Sequence, residues 1–123
     1  MDAGVLAGVQ EDRREGAVKL PELIRIGPHD VTIKAWTSSE ANSHGASGWF
    51  SSAELQIRVD ASQPNTVQVE VLLHEINHAI YQLFSLASED VEEKTVGAFA
   101  VGYTQVFRDN PQLRKWFDAM LRK

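Results

Sequence analysis

Cysteine is absent from this chain. None of the 123 residues is Cys, so disulfides, thiolate zinc fingers and cysteine nucleophiles are all excluded. Any metal site would therefore have to be built from His, Asp or Glu. The sequence also lacks a run near the ~20 apolar residues that a membrane span needs. Residues 1–19 contain neither a basic start nor an apolar stretch of signal-peptide length. We expect them to form a flexible segment or a short leading helix of a cytoplasmic protein.

Positive charge is not in excess either. The net charge of -5 argues against a nucleic-acid backbone or an anionic membrane as the main partner. Hydrophobic residues make up 43% and charged residues 24% of the chain, which is typical of a globular protein. A single domain is expected at this length, and we assign it to residues 20–123. No feature of the sequence predicts an oligomeric state.

The first half of the chain has strand character. "ELIRIG" and "VTIKAW" are rich in β-branched residues and flank the turn signal "GPHD", residues 27–30, which predicts a hairpin. Short polar residues and two glycines predict that "TSSEANSHGASG", residues 37–48, is a loop. After it, the alternating apolar residues of "AELQIRV" predict a third strand over residues 54–59 with one buried face.

The second half has helical spacing. Apolar residues recur at intervals of three and four over residues 67–83, where Asn65 or Thr66 can cap the helix. Further apolar residues lie outside the main stripe, so we expect this helix to be buried on most sides. Ser88 and Asn110 can cap two more helices. The fold is therefore expected to be α+β, with three or more strands, antiparallel or mixed, packed on three helices.

The first of these helices carries "HEINH", residues 74–78. One residue advances a helix by about 100°, so His74 and His78 lie on one face, one turn apart. Both imidazoles can then reach one zinc ion. Glu75 lies to the side of the pair, where it is badly placed as a ligand and well placed as a general base for a zinc-bound water. The motif predicts two ligands, a base and a missing third ligand.

A chance match is the alternative interpretation of HEINH. In a chain of this composition the bare motif arises by chance with a probability of roughly 0.01. The motif also lies in an apolar segment, where two His and one Glu buried without partners would cost several kcal/mol. Since a metal would remove that cost, we prefer the metal site.

The third ligand is sought among the carboxylates after His78, because no histidine follows it. Those at the start of the returning helix are best placed to come back toward the His pair, which leaves Glu92 and Glu93 as candidates. Glu93 shares a helical face with small residues that would let this helix approach the HEINH helix closely. We therefore favour Glu93 over Glu92. A solvated pair that only complements the helix dipole is the alternative for both.

These residues resemble a known group of proteins. "LLHEINHAI" followed by "EKTVGAFA" resembles the glutamate-zincins, in which HExxH supplies two ligands and the next helix supplies a Glu. That Glu is followed by Phe six residues later and by a small residue seven later, matched here by Glu93, Phe99 and Ala100. The ImmA/IrrE-like metallopeptidases share this layout, including a strand after a Gly, here "GWFSSAELQIRVD", and the similarity covers residues 47–101. The compact size looks closest to the minimal zincins (minigluzincins), many encoded by phages and prophages, over residues 22–120.

The resemblance implies a minimal zincin fold, a Zn2+ cofactor and peptide-bond hydrolysis. The sequence departs from the family pattern in two places. Glutamate-zincins often carry Asp or Asn four residues after the ligand Glu, where it supports a ligand His, and here that position is Gly97. Larger zincins stabilise the oxyanion with a Tyr or His that has no obvious counterpart here. Tyr103, His44 and His29 are the candidates for that role.

Two functions share the predicted ligands. A zinc peptidase would use Glu75 and could bind a peptide along the strand at residues 54–59, which we expect at the sheet edge beside the cleft. The alternative for that strand is a plain edge protected by charges. The same fold could instead hold zinc in a non-proteolytic binding or regulatory module. A metal-free interaction domain is the third hypothesis.

Overall fold

The protein has an α+β fold built on a four-stranded mixed sheet. A computed structural model describes residues 19–84 and 91–123, and the side chains of residues 91–93 lie outside that description. The elements in chain order are β1 (Leu23–Ile26), β2 (His29–Trp36), α1 (Ser38–His44), β3 (Gly48–Ser51), β4 (Gln56–Asp60), α2 (Asn65–Leu83), α3 (Val91–Asp109) and α4 (Pro111–Leu121). The predicted α+β class is confirmed.

Two predictions fall on residues that are not described. The flexible segment or leading helix expected over residues 1–19 lies almost wholly there, as does the cap expected at Ser88. Within the described ranges, no helix combines the length and the apolar character that a membrane span requires.

The predicted hairpin is confirmed, with a shorter turn than expected. β1 and β2 pair antiparallel, with Ile26 opposite His29, so only Gly27 and Pro28 form the turn. Gly27 has φ 59°, a left-handed conformation that glycine adopts without steric strain. The turn signal therefore located the hairpin correctly, while Asp30 belongs to the second strand.

The stretch at residues 37–48 contains a helix, so the loop prediction was wrong. Thr37 accepts a hydrogen bond from the Glu40 N–H, and the Glu40 carboxylate accepts one from the Thr37 N–H. This capping box starts α1, and Gly45, at φ 67°, ends it. His44 stacks on the Trp36 ring, with centroids 4.6 Å apart. The sequence does contain the signal for this helix, Thr37 followed by Glu40 three residues later. The loop was predicted because the polar composition was given more weight than that pair.

The strand expected at residues 54–59 is not an edge strand. The stretch "WFSSAELQIRVD" forms two strands, β3 and β4, which pair antiparallel. β4 also pairs parallel with β2, giving the order β1-β2-β4-β3. Both sides of β4 are therefore occupied. The edge strands are β1 and β3, and this order depends on pairing between distant segments that local patterns do not encode.

The core lies between one face of the sheet and the helices. α2 contacts β3, β4, α3 and α4, and it is buried on one side only, which corrects the expectation of burial on most sides. Its solvent side includes Glu70, His74, Asn77, His78 and Tyr81. The side chains of the central core cluster are Ile24, Ile26, Val31, Ile33, Ile57, Val59, Val69, Leu72, Ile76, Ala79, Ile80, Val106, Leu113 and Trp116.

The start of α2 is not capped as predicted. Its N-cap is Pro64, without a side-chain cap hydrogen bond, so the expectation for Asn65 or Thr66 was wrong. The preceding loop is held instead by buried polar groups. The Gln68 amide donates to the main-chain oxygens of Ala61 and Gln63. Polar side chains farther along the loop satisfy Asp60 in the same way.

Asn110 is the N-cap residue of α4, as predicted, but its side chain does not cap that helix. Its Oδ1 accepts from the Arg25 N–H at 2.8 Å, and its Nδ2 donates to the oxygens of Arg25 and Val106. Gln105 adds a bond from the Gly27 N–H to its Oε1 at 2.7 Å. Side-chain amides thus occupy the outer edge of β1, and among the described residues β3 is the edge strand that lacks such bonds.

Candidate metal centre

The two histidines of HEINH lie together on the exposed side of α2. Leu72, Ile76 and Ala79 anchor the opposite side of the helix in the core with no measurable exposure. This orientation points His74 and His78 outward, and their ring centroids are 4.9 Å apart at an interplanar angle of 74°. Two imidazoles one turn apart on an open helix face are a suitable pair of zinc ligands.

The sequence predicted a cost for burying the His and Glu side chains of HEINH, and this cost applies to only one of them. Both histidines are exposed, so desolvation puts no strain on them. Glu75 is different, since its residue is only 6% exposed. The preference for a metal therefore depends on the geometry of the pair and no longer on a cost of burying it.

Glu75 points from α2 toward the edge strand β3. A methyl group built on Gly48 would lie 3.0 Å from Glu75 Oε2, so the carboxylate lies against the main chain of that strand. Burial raises the pKa of Glu75, while the nearby His74 and His78 act in the opposite direction. A carboxylate in such a site takes up a proton more readily than one in water. The structure therefore places Glu75 in a buried position beside β3 with a raised pKa.

Tyr103 reaches the same motif from α3. Its hydroxyl donates to Asn77 Oδ1 and lies 3.5 Å from the Leu73 main-chain oxygen. Burial raises the pKa of Tyr103, which keeps the hydroxyl protonated and able to donate. The ring stacks on Phe107 at a centroid distance of 5.6 Å. The polar end of Tyr103 is therefore held beside HEINH by an apolar row behind it.

Three residues were candidates for stabilising the oxyanion. Among the described side-chain contacts, Tyr103 is the candidate that is hydrogen-bonded to the HEINH helix. His44 stacks on Trp36 at the end of α1. His29 pairs with Ile26 at the start of β2. The sequence named all three without a motif to separate them, and the packing of α3 on α2 distinguishes them.

The predicted face of α3 does not pack on α2. The small residues that share a face with Glu93 are exposed, and a methyl group on Gly97 would meet nothing within 4 Å. The contact is made instead by Gly102, whose Cα faces Ile80, and by Tyr103. The prediction that the helical face with the small residues packs closely on α2 was therefore wrong. The cause is that small residues permit contact between helices but do not require it.

The third ligand stays a prediction. Glu93 belongs to the first turn of α3, and its side chain, like that of Glu92, lies outside the description. Among the side chains that are described, no group of three or more His, Asp or Glu could hold a metal ion. Position 92 is eleven residues, about three turns, before Tyr103 and shares its helical face. Position 93 shares its helical face with Gly97 and Ala100, which are exposed.

Two residues of the candidate site, one within HEINH and one outside it, were not assigned a role from the sequence. Asn77 looked like a variable position of HExxH, yet it accepts the Tyr103 hydrogen bond. Gly48 was recognised only as the glycine before a strand, yet it borders the carboxylate of Glu75. The glycine in "SGWF" was a visible signal, but the residue it accommodates is 27 positions away in the sequence.

Comparisons with protein-family models, with curated proteins and with solved structures gave no match to this chain. The resemblance to the glutamate-zincins therefore depends on HEINH and on the segment that follows it.

Proposed function

We propose that this protein is a zinc-dependent metallopeptidase of the minimal glutamate-zincin type. It would be an endopeptidase, encoded by a phage or prophage and acting in the host cytoplasm, as the family resemblance implies. The observation that carries the proposal is the exposed pair His74 and His78 on one helix face with the buried Glu75 between them in sequence. This combination supplies ligands and a base from a single turn of helix.

The donor set fits zinc. His74 and His78 would be two ligands, and a carboxylate from the first turn of α3 would be the third. Glu93 is the one that the sequence predicts, whereas Glu92 shares the helical face of Tyr103, which contacts α2. Three protein ligands leave a fourth position open, as catalytic zinc sites require. When bound, zinc acidifies a water molecule toward a pKa of ~7 and polarises a carbonyl group.

Glu75 would carry the proton in this reaction. Its carboxylate would accept a proton from the attacking water and later return it to the leaving amine. The water oxygen and the amine nitrogen must therefore each come within hydrogen-bond reach of Oε2. Burial beside β3 supports this role, because the raised pKa of Glu75 makes it a better proton acceptor. Tyr103 is the candidate donor to the carbonyl oxygen as negative charge develops there.

A peptide substrate would pair with β3 rather than with residues 54–59. Within residues 19–84 and 91–123, β3 has a strand neighbour on one side only. The Asp60 N–H donates to the Ser47 oxygen, and pairs alternate along an antiparallel ladder. The main-chain N–H and C=O groups of Gly48 and Phe50 therefore point to the open edge. An extended peptide can add there by main-chain hydrogen bonds, and the edge lies beside Glu75.

The second candidate is a zinc-containing module that binds a partner without cleaving it. The observation that favours it is the low exposure of Glu75, at 6%, because a general base must reach water. The same ligands would then hold the surface around His74 and His78 in one shape for a regulatory partner.

Metal content and cleavage separate these functions. We expect about one equivalent of zinc in gently purified protein, cleavage of a peptide library by the wild type, and none by Glu75→Gln with zinc retained. Glu70→Gln, on the same helix and exposed, is the matched control and should cleave normally. Bound zinc without cleavage by any form would favour the binding module. Protein without zinc would remove both proposals.

The third ligand is tested by two neighbouring substitutions. Glu93→Gln should reduce zinc affinity strongly, while Glu92→Gln should leave it near the wild-type value. Zinc affinity is measured by competition with a chromophoric chelator. The reverse result would assign the ligand to Glu92, which shares the helical face of Tyr103.

A further inference from the structure

Gly48 joins two parts of the proposed site. Its main chain forms part of the open edge of β3, and its Cα faces α2. A Cβ at this position would lie 2.5 Å from Val71 Cγ1, 3.0 Å from Glu75 Oε2 and 3.2 Å from the Arg58 main-chain oxygen. Only a residue without a side chain lets the strand and the Glu75 carboxylate come this close.

The glycine is not explained by backbone conformation. The glycines of this chain with positive φ are Gly27 and Gly45 among the described residues, and Gly48 is not one of them. Gly48 is part of a regular antiparallel pair with Val59. Its requirement is therefore steric, and the atoms that create it are one methyl group of Val71, one carboxylate oxygen of Glu75 and one main-chain oxygen of β4.

We propose that Gly48 is a positioning residue that holds the Glu75 carboxylate against the main chain of the substrate-binding edge. This inference rests on the proposed function, because it gives the lack of a side chain at position 48 a role in placing the proposed base. The absence of Cβ lets Oε2 lie next to the strand along which the scissile peptide would run. A side chain at position 48 would displace Oε2 from that strand.

The expected effect is on the chemical step. A displacement of a reacting group by about 1 Å can reduce a rate on the order of a hundredfold. The main-chain groups of position 48 stay available for pairing, so the KM for a peptide should change little. The three atoms nearest to an added Cβ belong to Val71, Glu75 and Arg58 and to neither histidine, so zinc affinity should also be preserved.

The main experiment separates positioning from packing. Gly48→Ala alone should lower the melting temperature, because the added methyl group clashes with Val71. Val71→Ala removes the atom at 2.5 Å but leaves the contact with Glu75 at 3.0 Å. The double variant should therefore recover most of the melting temperature, with KM and zinc affinity close to those of Val71→Ala. Its kcat should stay about tenfold or more below that of Val71→Ala.

A purely structural role gives a different result. If the only function of Gly48 is to avoid Val71, the double variant recovers kcat together with its melting temperature. That outcome would overturn the proposal.

A second measurement does not depend on cleavage. In metal-free protein carrying Val71→Ala, the loss of melting temperature caused by Gly48→Ala is compared with Glu75 present and with Glu75→Ala. A smaller loss in the Glu75→Ala background is expected, since the methyl group then has no carboxylate to displace. Equal losses would show that position 48 does not restrain Glu75, and the proposal would fail even if the wild type is an active peptidase.

The two measurements also distinguish this proposal from the proposed function. An inactive wild type that shows the coupling between positions 48 and 75 would count against the peptidase and leave the contact intact. An active wild type without the coupling would count against Gly48 alone.

Discussion

The Tyr103 hydroxyl on α3 donates a hydrogen bond to the side-chain oxygen of Asn77, between the two histidines of HEINH. One helix thus contacts the other at the residue next to a proposed ligand. On the far side of the motif, Glu75 borders the edge strand at Gly48. The His pair therefore lies on a helix that is restrained on both flanks and open to solvent between them.

Removing the Tyr103 hydroxyl should weaken this contact without creating a cavity. We expect Tyr103→Phe to lower the free energy of unfolding by about 1 kcal/mol, the usual contribution of one hydrogen bond. Asn77 is exposed, so water can replace the lost donor and limit the loss. Urea denaturation of metal-free protein measures the effect.

Tyr81→Phe is the control for that experiment, because Tyr81 is an exposed tyrosine on α2. It should leave the unfolding free energy almost unchanged. If Tyr103 also donates to the substrate, the kcat of Tyr103→Phe should fall far more than its stability does. Stability equal to that of Tyr81→Phe would contradict the structural contact.

Glu75 should make metal-free protein less stable as pH rises. Its pKa in the folded protein is raised above the ordinary value of 4.5 by burial. Stability associated with the protonated carboxyl is fully present below 4.5 and is lost as pH rises through the folded pKa. Glu75→Gln has no titrating group at this position, so it does not lose stability in this way as pH rises. The variant should therefore gain stability relative to wild type as pH rises from below 4.5 through the folded pKa of Glu75.

Urea denaturation of metal-free protein across that pH range measures this difference. Glu70→Gln, on the same helix but exposed, supplies the control and should track the wild type. A constant difference between Glu75→Gln and wild type at all pH values would mean that the carboxylate is solvated in the folded protein.

Asp60 should show the opposite pH dependence. Burial disfavours its charge, but hydrogen bonds from Ser62 and Gln63 outweigh that effect and lower the pKa below 3.8. The stability that its carboxylate contributes is present above 3.8 and is lost as pH falls through the folded pKa. Asp60→Ala should therefore cost about 1–3 kcal/mol at neutral pH.

That cost should shrink in acid, as measured by urea denaturation at a series of pH values. Asp118→Ala replaces an exposed carboxylate on α4 and should cost little at any pH. A cost for Asp60→Ala that does not change with pH would assign its effect to packing rather than to charge.

Two glycines of α3 should respond in opposite ways to an added methyl group. Both are in a helix interior, where Gly→Ala gains about 0.5–1 kcal/mol from backbone entropy. At Gly97 the methyl group would meet open space, so Gly97→Ala should be stabilising. At Gly102 it would lie 3.0 Å from Ile80 Cδ1 in the core, and overpacking costs about 1–3 kcal/mol.

Gly102→Ala should therefore be less stable than Gly97→Ala, and thermal denaturation of both variants measures the difference. Equal stabilities would indicate that α3 does not approach α2 at Gly102. Each variant is the control for the other, since they share one helix and one chemical change.

Local patterns predicted the parts of this fold that local chemistry determines. The hairpin turn at Gly27, the HEINH helix and the start of α4 after Asn110 all follow from residues that are neighbours in sequence. The capping box of Thr37 and Glu40 was also present in the sequence, and α1 was missed because polar composition was given more weight than that pair.

Features that depend on pairing between distant segments were not predictable in this way. The position of β4 inside the sheet requires β2 and β3 as neighbours. The rotation of α3 was mispredicted because small residues near Glu93 were taken as a contact face, whereas Gly102 and Tyr103 make the contact. For the candidate site, the sequence predicted that His74 and His78 share one helix face, but not that β3 buries Glu75.

Asn110 should contribute more to stability than any exposed polar residue of α4. It is 5% exposed, and its amide satisfies the N–H and C=O of Arg25 and the oxygen of Val106. Asn110→Ala would remove the side-chain partner of the Arg25 N–H and of the Val106 oxygen, while the Arg25 oxygen keeps a hydrogen bond from Gln105 Nε2. Each buried unsatisfied group costs about 1–3 kcal/mol. Gln112→Ala, an exposed neighbour in the same helix, should change the free energy of unfolding little, as measured in urea.

Because Asn110 also covers the outer edge of β1, its loss should increase aggregation on heating, monitored by light scattering. A variant that is destabilised yet does not aggregate would show that Gln105 alone is enough to protect that edge.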